Sequence, residues 1–335
     1  MKAFELTEFG IDRLQQVTMD DPAPGPGQVL VKLNAASINY RDFMICAGQF
    51  APPEDLPIVP LSDGAGEIVA VGERVTSLGV GDHVMPLFFP HWMSGDALGD
   101  ERAVSTGLEA DGCLREYGVF DEHSVVKIPA HLSDEQAACF PCAGLTAWSA
   151  LVEVSSVQPG DTVLVLGTGG VAIFALQFAK ALGARVIVTS GSDEKLERAR
   201  TLGADDLINY KAVPEWGAAA KALTDGRGVD IVIEIGGTNT LGQSFRAVRR
   251  GGHIPVIGAL AGAQMDILVY DLIMTNAHVH GISVGHRQGC EAMMGFADQH
   301  GIFPVIDQTY GFDEAADAIR DIDKGEHFGK LTVMI

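Results

Sequence analysis

Thr162-Val-Leu-Val-Leu-Gly-Thr-Gly-Gly-Val-Ala172 is the stretch that decides the fold. A short apolar run reads as a buried strand, passes into Gly167-x-Gly169-x-x-Ala172, and gives way at once to an apolar helix. Gly167 permits a tight turn, Gly169 lets a pyrophosphate approach the backbone, and Ala172 allows close helix–strand packing. The helix start supplies amide donors and the positive end of a dipole. Gly170 and Val171, which open that helix, join Gly167 and Gly169 as candidate cofactor contacts. In a chain with 40 glycines a triad alone arises by chance. The strand before it and the helix after it separate it from a glycine-rich turn without a ligand.

The next strand decides the cofactor. NAD enzymes place a carboxylate at its end, about 20 residues past the glycines, to accept hydrogen bonds from the ribose 2′-hydroxyl. Here Val188-Thr-Ser-Gly-Ser192 carries none, and the first acid, Asp193, already belongs to a helix cap. Small hydroxyl residues leave room for a 2′-phosphate and do not repel it. Ser190 closes the strand, Lys195 follows within reach, and Tyr210 ends the strand after that. NADPH is therefore expected over NADH. A cap role for Asp193 and a solvated surface charge at Lys195 are compatible with this.

Outward from the motif, strand and helix alternate. Arg185–Thr189, Asp206–Asn209, Val229–Glu234 and His253–Gly258 read as strands, with helices at 193–202, near 216–223 and near 241–248. Such alternation is satisfied by a parallel sheet with helical crossovers. Upstream, the first 125 residues are β-rich. Val29–Leu33 and Glu67–Gly72 are strands, Gly81–Pro86 turns into a third, and Pro22, Pro24, Pro26, Pro52, Pro53, Pro57 and Pro60 leave little room for long helices. Ser133 and Gln136 form a capping-box signature. After about Asp266 the pattern is mixed, with a helix at 312–324. A final strand starts at Lys330, which suggests a return to the first domain.

The chain has 335 residues, 47% apolar and 20% charged, with 44 acidic against 23 basic side chains and a formal charge of −21. Two domains are expected at this length. The acidity disfavours nucleic acid and anionic membrane surfaces as partners; the densest basic stretch, Arg246–Arg250, holds three arginines. The opening MKAFELTEFGIDRL lacks the pattern of a secretory signal. Val163–Phe178, the most apolar segment, is broken by glycines and too short to span a bilayer. Cys46, Cys113, Cys139, Cys142 and Cys290 are an odd set without regular spacing, so a reducing cytoplasm is expected.

With these residues in hand, the chain resembles the medium-chain dehydrogenase/reductase superfamily, in particular its zinc-free, quinone oxidoreductase-like branch. The resemblance rests on Ala36-Ser-Ile-Asn-Tyr-Arg-Asp, Pro60-Leu-Ser-Asp-Gly-Ala-Gly-Glu-Ile-Val, Val80-Gly-Asp-His-Val, Pro141-Cys-Ala-Gly-Leu-Thr-Ala-Trp, the glycine motif and Gly329-Lys-Leu. It implies an α/β fold in which a Rossmann doubly wound parallel sheet is inserted in a GroES-like, β-rich catalytic domain. The expected boundaries are 1–126 for the first part of the catalytic domain, 127–265 for the NADP-binding domain and 266–335 for the return. It also implies a homodimer, and an active site between the domains. Thr146 matches a residue that touches nicotinamide in relatives, Gly258 and Ala259 fall where the carboxamide would lie, and Lys330 matches a basic residue that reaches the cofactor phosphates. Arg287 is a further cofactor candidate or a surface charge.

Zinc-dependent relatives hold the ion with a cysteine in a G-I-C-x-T-D-like motif, a His-Glu pair in G-H-E-x-x-G, and a later cysteine or histidine. The matching positions here read Asn39, then Ser62 and Asp63; only Cys142 remains a plausible ligand, and it reads also as a buried small hydrophobe. Of the two readings of Cys142, the buried small hydrophobe is preferred. The four-cysteine lobe of a structural zinc is reduced to Cys113. His278 and His280 sit two apart on one strand face, and His91 and His286 are isolated, so no metal site is expected. The resemblance then implies hydride transfer from NADPH to a small apolar carbonyl compound, an α,β-unsaturated carbonyl or a quinone. Asn39 is the candidate donor to the substrate oxygen and Tyr40 a candidate proton donor, with water as the alternative. Asp63 adjoins them. Each also reads as a turn, packing or strand-end residue. Phe50 stands where enoyl-thioester reductases often carry tyrosine in a G-x-Y-P-like stretch, here Gly48–Pro52. Phe88–Trp92 lines an apolar pocket or forms a satellite cluster. Two rival readings are a zinc-type alcohol dehydrogenase and a non-enzymatic NADPH-binding protein.

Overall fold

A computed structural model describes residues 1–50, 56–260, 262–264 and 268–335. Ala51, Pro52, Pro53 and the boundary residue Asp266 lie outside the described residues. The chain forms two units, Met1–Leu145 with Gly285–Ile335, and Thr146–Val284.

In the first unit, β1 (Lys2–Leu6) and β2 (Leu14–Thr18) make a small antiparallel sheet. β3 (Gln28–Ile38) is the spine of a larger one. It pairs antiparallel with β4 (Asp63–Val71), which in turn pairs antiparallel with β5 (His83–Pro86). β6 (Tyr117–Asp121) lies along the first half of β3, and β7 (Val125–Lys127) pairs with β5. Along β3 the strand period appears as buried Val29, Val31 and Leu33 alternating with more open Leu30, Lys32 and Asn34. From Ala35 to Ile38 both faces are buried. Alternation fades there because the strand is covered on both sides, which is why the strand runs past the expected Val29–Leu33. Where β3 and β4 shift register, a Cβ on Gly66 would stand 1.9 Å from the Lys32 carbonyl oxygen. Only glycine fits that approach.

The second unit is a six-stranded parallel sheet: β8 (Thr162–Leu166), β9 (Arg185–Ser190), β10 (Asp206–Asn209), β11 (Val229–Ile233), β12 (Val248–Val256) and β13 (His278–Gly281). The spatial order is β10-β9-β8-β11-β12-β13. Every residue of β8 and β11 is buried, as expected for central parallel strands covered on both faces. Strand order reverses between β8 and β11, and in such sheets ligands bind beyond the carboxyl ends of the strands at that point. Leu164, Ile187, Val232, Phe245 and Ile254 belong to its core. Two arginines of the basic stretch are paired: Arg246 with Glu215, and Arg249 with buried Asp230, which Arg227 also grips at 2.6 and 2.9 Å.

The last strands return to the first unit. β14 (Ile306–Gly311) pairs parallel with β15 (Lys330–Met334), and β15 lies antiparallel on β3. Ser133 and Gln136 exchange the two hydrogen bonds of a capping box at 3.2 and 3.0 Å. That helix start is tied to the large sheet, with Asn34 donating to Asp134 at 2.7 Å and Thr332 to Glu135 at 2.7 Å. The first unit therefore runs to Leu145, beyond the expected 126. β13 pairs with β12, so the second unit runs to Val284, beyond the expected 265. The helical stretch Asp134–Val154, and not Val163–Phe178, is long and apolar enough to cross a membrane, but 78% of its apolar window is buried.

At the sheet edge, register pairs His253 with His278 and Pro255 with His280. The imidazoles stack, with ring centroids 4.9 Å apart for His253–His278 and 5.6 Å for His253–His280. Burial, then the neighbouring imidazoles, depress the affinity of His253 and His280 for protons. An unfolded chain takes up those protons first, so stability falls as pH drops below about 6.5 and flattens once the folded groups also protonate. Replacing both with glutamine is expected to flatten the decline in melting temperature between about pH 6.5 and 5, measured by circular dichroism; an unchanged slope would assign it elsewhere.

Candidate active site

Strand registers bring one polar cluster together inside the first unit. Ser37 at the end of β3 faces Asp63 at the start of β4, and Ile38 faces Leu331 of β15. Asn39, Ser62, Asp63 and Lys330 consequently meet where three strands end. Asn39 caps the helix Tyr40–Cys46, its backbone N–H donating to Asp42 Oδ2 at 2.8 Å. Leu61, immediately before Ser62, is fully buried with φ 71°, a conformation that is costly for leucine and is held by its surroundings.

Every member of the cluster has a partner. Lys330, only 3% exposed, donates from Nζ to the Ile38 carbonyl and to Asn39 Oδ1, both at 2.7 Å. Asn39 Nδ2 lies 3.5 Å from Ser62 Oγ, which donates to Asp63 Oδ1 at 2.7 Å. Asp63 Oδ2 accepts the backbone N–H of Cys142 at 3.1 Å. Asp42 is fully buried, and burial pushes its carboxyl up to about 6 against the pull of the Arg41 guanidinium, with Asp63 adding to the rise.

Asn39 and Asp63 thus stand together through Ser62, whereas the Tyr40 hydroxyl turns to Asp323 at 3.4 Å. Burial and the Asp323 carboxylate raise the Tyr40 phenol above its ordinary range, making it a poorer acid. Lys330 points into the first unit, onto Asn39. Arg287 donates to the Val125 carbonyl at 2.8 Å and pairs with Glu291. Phe88 and Phe89 are buried edge-to-face at 4.7 Å, and Arg41 lies over the Phe88 ring.

The donor set does not fit a tetrahedral zinc. Such sites need three or four thiolate, imidazole or carboxylate ligands. Here an amide and a hydroxyl fill two positions, and an ammonium already sits on the amide oxygen. The Cys142 thiol is driven above the usual thiol range by burial and by Asp63. Among the described residues no group of three or more His, Cys, Asp or Glu could hold a metal ion.

The second unit holds the expected nucleotide residues. Gly167 has φ 78°, and a Cβ there would meet nothing within 4 Å. Gly169, which has no side chain to offer, is the N-cap of the helix Gly170–Ala181. This cradle fits a pyrophosphate. Thr146 is buried. Ser190 is buried at the end of β9, and Tyr210 is 43% exposed just beyond β10. The Asp193 carboxylate is engaged by Asn209 Nδ2 at 2.6 Å, and Ser192 Oγ accepts the Lys195 backbone N–H at 3.3 Å. Gly258 and Ala259 follow β12, with a Gly258 Cβ position 2.7 Å from the Ile235 carbonyl. Two residues escaped the sequence reading. Lys211 is exposed beside Gly191, where a Cβ would lie 2.8 Å from both Lys211 Cε and the Tyr210 hydroxyl; its signal was adjacency to Tyr210. Buried Glu234 accepts from Gly236, Gly237, Thr240 and Ser244 and ties down the loop after β11.

Comparison with known proteins agrees with this architecture. Residues 25–130 match the alcohol dehydrogenase GroES-like domain and residues 170–299 the zinc-binding dehydrogenase family. A zinc-type alcohol dehydrogenase-like protein of Schizosaccharomyces pombe is 41% identical over 97% of this chain and 96% of its own. The structure of an NAD-dependent alcohol dehydrogenase superposes with a TM-score of 0.92 at 32% identity, covering both chains fully. A crotonyl-CoA carboxylase/reductase, AntE, in complex with NADP reaches 0.87 at 25% identity, covering 100% of this chain and 94% of its own. The chain belongs to the medium-chain dehydrogenase/reductase superfamily and is an NAD(P)-dependent oxidoreductase.

The open space at Gly167 yields a separable test. Gly167→Ala strains one positive φ by about 1 kcal/mol and meets no protein atom, so the melting temperature should fall by no more than about 4 °C. Nucleotide affinity, read from quenching of protein fluorescence, should fall about tenfold or more because the strained turn shifts the Gly169 backbone that the pyrophosphate approaches. Unchanged affinity would move the nucleotide elsewhere.

Proposed function

We propose that this oxidoreductase reduces quinones or α,β-unsaturated carbonyl compounds with NADPH and without zinc. The observation that carries the reading is the donor set Asn39, Ser62, Asp63 and Cys142, with an ammonium on the Asn39 amide. It offers hydrogen bonds where a metal enzyme would offer ligands. NADPH, when bound, supplies the hydride. Asn39 Nδ2 donates to the substrate oxygen as negative charge develops there, and Ser62, backed by Asp63, holds the amide's second contact. For an enone, hydride adds to the β-carbon and the α-carbon takes a proton. For a quinone, both oxygens end protonated. Water is the favoured proton source, since the Tyr40 hydroxyl is committed to Asp323. The absence of an acid at the end of β9, together with Lys195, Tyr210 and Lys211, supports NADPH.

The names of its relatives favour a second reading, interconversion of alcohols and aldehydes with zinc. Metal analysis separates the two: one zinc per chain, with activity lost to chelation, would establish the second. We also infer a homodimer in the cytoplasm. Leu268, Val269, Tyr270, Ile273 and Met274 are exposed on the helical segment that precedes the edge strand β13 in sequence, a surface of the kind that a second copy covers. The five cysteines are free. Light scattering should return twice the chain mass.

Fluorescence titration is expected to show NADPH binding at least tenfold more tightly than NADH. Asn39→Ala should then lower kcat on a benzoquinone or cyclic enone by about 10²-fold, the scale for loss of one oxyanion donor. Tighter binding of NADH would reject the cofactor assignment, and a kcat unaffected by Asn39→Ala would reject the donor.

A further inference from the structure

We propose that Lys330 is a positioning residue that sets the orientation and strength of the Asn39 amide; the proposal rests on Asn39 as the donor to the substrate oxygen. An ammonium only donates hydrogen bonds, so the group it touches on Asn39 must be the carbonyl oxygen. The 2.7 Å contact from Nζ to Oδ1 therefore turns Nδ2 to the other side, where Ser62 Oγ lies 3.5 Å away. One of the two Nδ2 hydrogens faces Ser62 and the second remains for a substrate oxygen. A cation on the oxygen also draws charge from the amide and makes its N–H a stronger donor, an effect enlarged where water is excluded.

The ammonium is itself held fast. Its second contact, the Ile38 carbonyl at 2.7 Å, is fixed by the pairing of β15 with β3. Burial of an unpaired cation would be prohibitive. Here two acceptors and the field of buried Asp42 compensate it. This assignment competes with the role implied by resemblance, contact with cofactor phosphates. A phosphate ligand needs its charge at the surface, and Lys330 is 3% exposed with both contacts directed inward. In charge terms one ammonium, acting through an amide, takes up part of the task that a metal ion performs directly.

Lys330→Met and Lys330→Arg separate the two roles. If Lys330 positions Asn39, Lys330→Met lowers kcat at saturating NADPH at least tenfold with a benzoquinone or cyclic enone. The NADPH dissociation constant, from nicotinamide fluorescence, stays within twofold, and Lys330→Arg recovers most of the rate. The double variant Lys330→Met/Asn39→Ala is then no slower than Asn39→Ala alone. A kcat within twofold of wild type, multiplicative losses in the double variant, or NADPH affinity weakened tenfold with kcat intact each overturn the proposal. If Lys330→Met does not fold, Lys330→Gln keeps a donor to Asn39 without the charge, and its kcat should fall at least threefold; an unchanged rate overturns the proposal equally. A wild-type chain that binds NADPH but reduces neither acceptor would instead reject the functional reading. Lys330 is then tested by 4-nitrophenol in the presence of NADP⁺, followed by its phenolate absorbance. Stabilisation of the phenolate by wild type but not by Lys330→Met supports positioning, and equal behaviour of the two refutes it.

Discussion

The pairing of β3 with three neighbours is the constraint on which the site depends. Antiparallel register is discrete, and a slip of one residue would turn every side chain to the opposite face. Ser37 opposite Asp63 and Ile38 opposite Leu331 fix where β4 begins and where β15 begins. Asn39, the first residue past β3, thereby receives Ser62 from one side and Lys330 from the other. The two contacts join residues 23 and 291 positions apart in sequence. The C-terminal strand thus completes the polar cluster begun by the first forty residues, and this gives a physical reason for a chain that leaves its first unit and returns.

Much of this was legible in the sequence, for reasons that differ by region. The strand–glycine–helix passage at Thr162–Ala172 was readable because each residue type there answers a local demand: a buried strand, a positive φ at Gly167, a helix start whose cap is a glycine. Asn39 and Asp63 were found as positions where expected ligands are missing. Side-chain direction was not legible. Tyr40 and Asn39 are neighbours, yet the start of the helix sends the Tyr40 ring to Phe43 and its hydroxyl to Asp323. Lys330 matches by position a residue that reaches cofactor phosphates, and the sequence gives no sign of the contacts its Nζ makes with the Ile38 carbonyl and Asn39 Oδ1. Cys142 sits in a π-helical turn, Phe140–Gly144, so it offers Asp63 its backbone N–H; wide turns of this kind occur often at functional sites.

The two units divide the chemistry by the kind of group each supplies. The second presents backbone: glycines without side chains and a helix start whose cap residue is itself a glycine. Glu234 complements them as a carboxylate that organises a loop through four donors. The side chains on which the proposed preference for NADPH rests stand at and beyond the ends of β9 and β10. The first unit presents side chains packed so closely that each polar atom constrains the next, from Lys330 through Asn39 and Ser62 to Asp63. Under the proposed function, affinity for the cofactor and treatment of the substrate can therefore vary separately.

The electrostatics of the polar cluster follow from its single ammonium. A dication among Asp42, Asp63 and a cysteine would keep both carboxylates ionised and bring the thiol toward thiolate. Lys330 supplies one positive charge, already shared between two hydrogen bonds. The consequences appear where the charge falls short: burial pushes Asp42 up to about 6 despite Arg41 and Lys330, and holds the Cys142 thiol protonated. Asp63 accepts the Ser62 hydroxyl and the Cys142 amide. A cluster balanced in this way admits a metal ion only with Asn39 released from Lys330 and Cys142 deprotonated together. It retains a polarised amide beside buried carboxylates, an arrangement suited to stabilising an oxygen that becomes negative only during reaction.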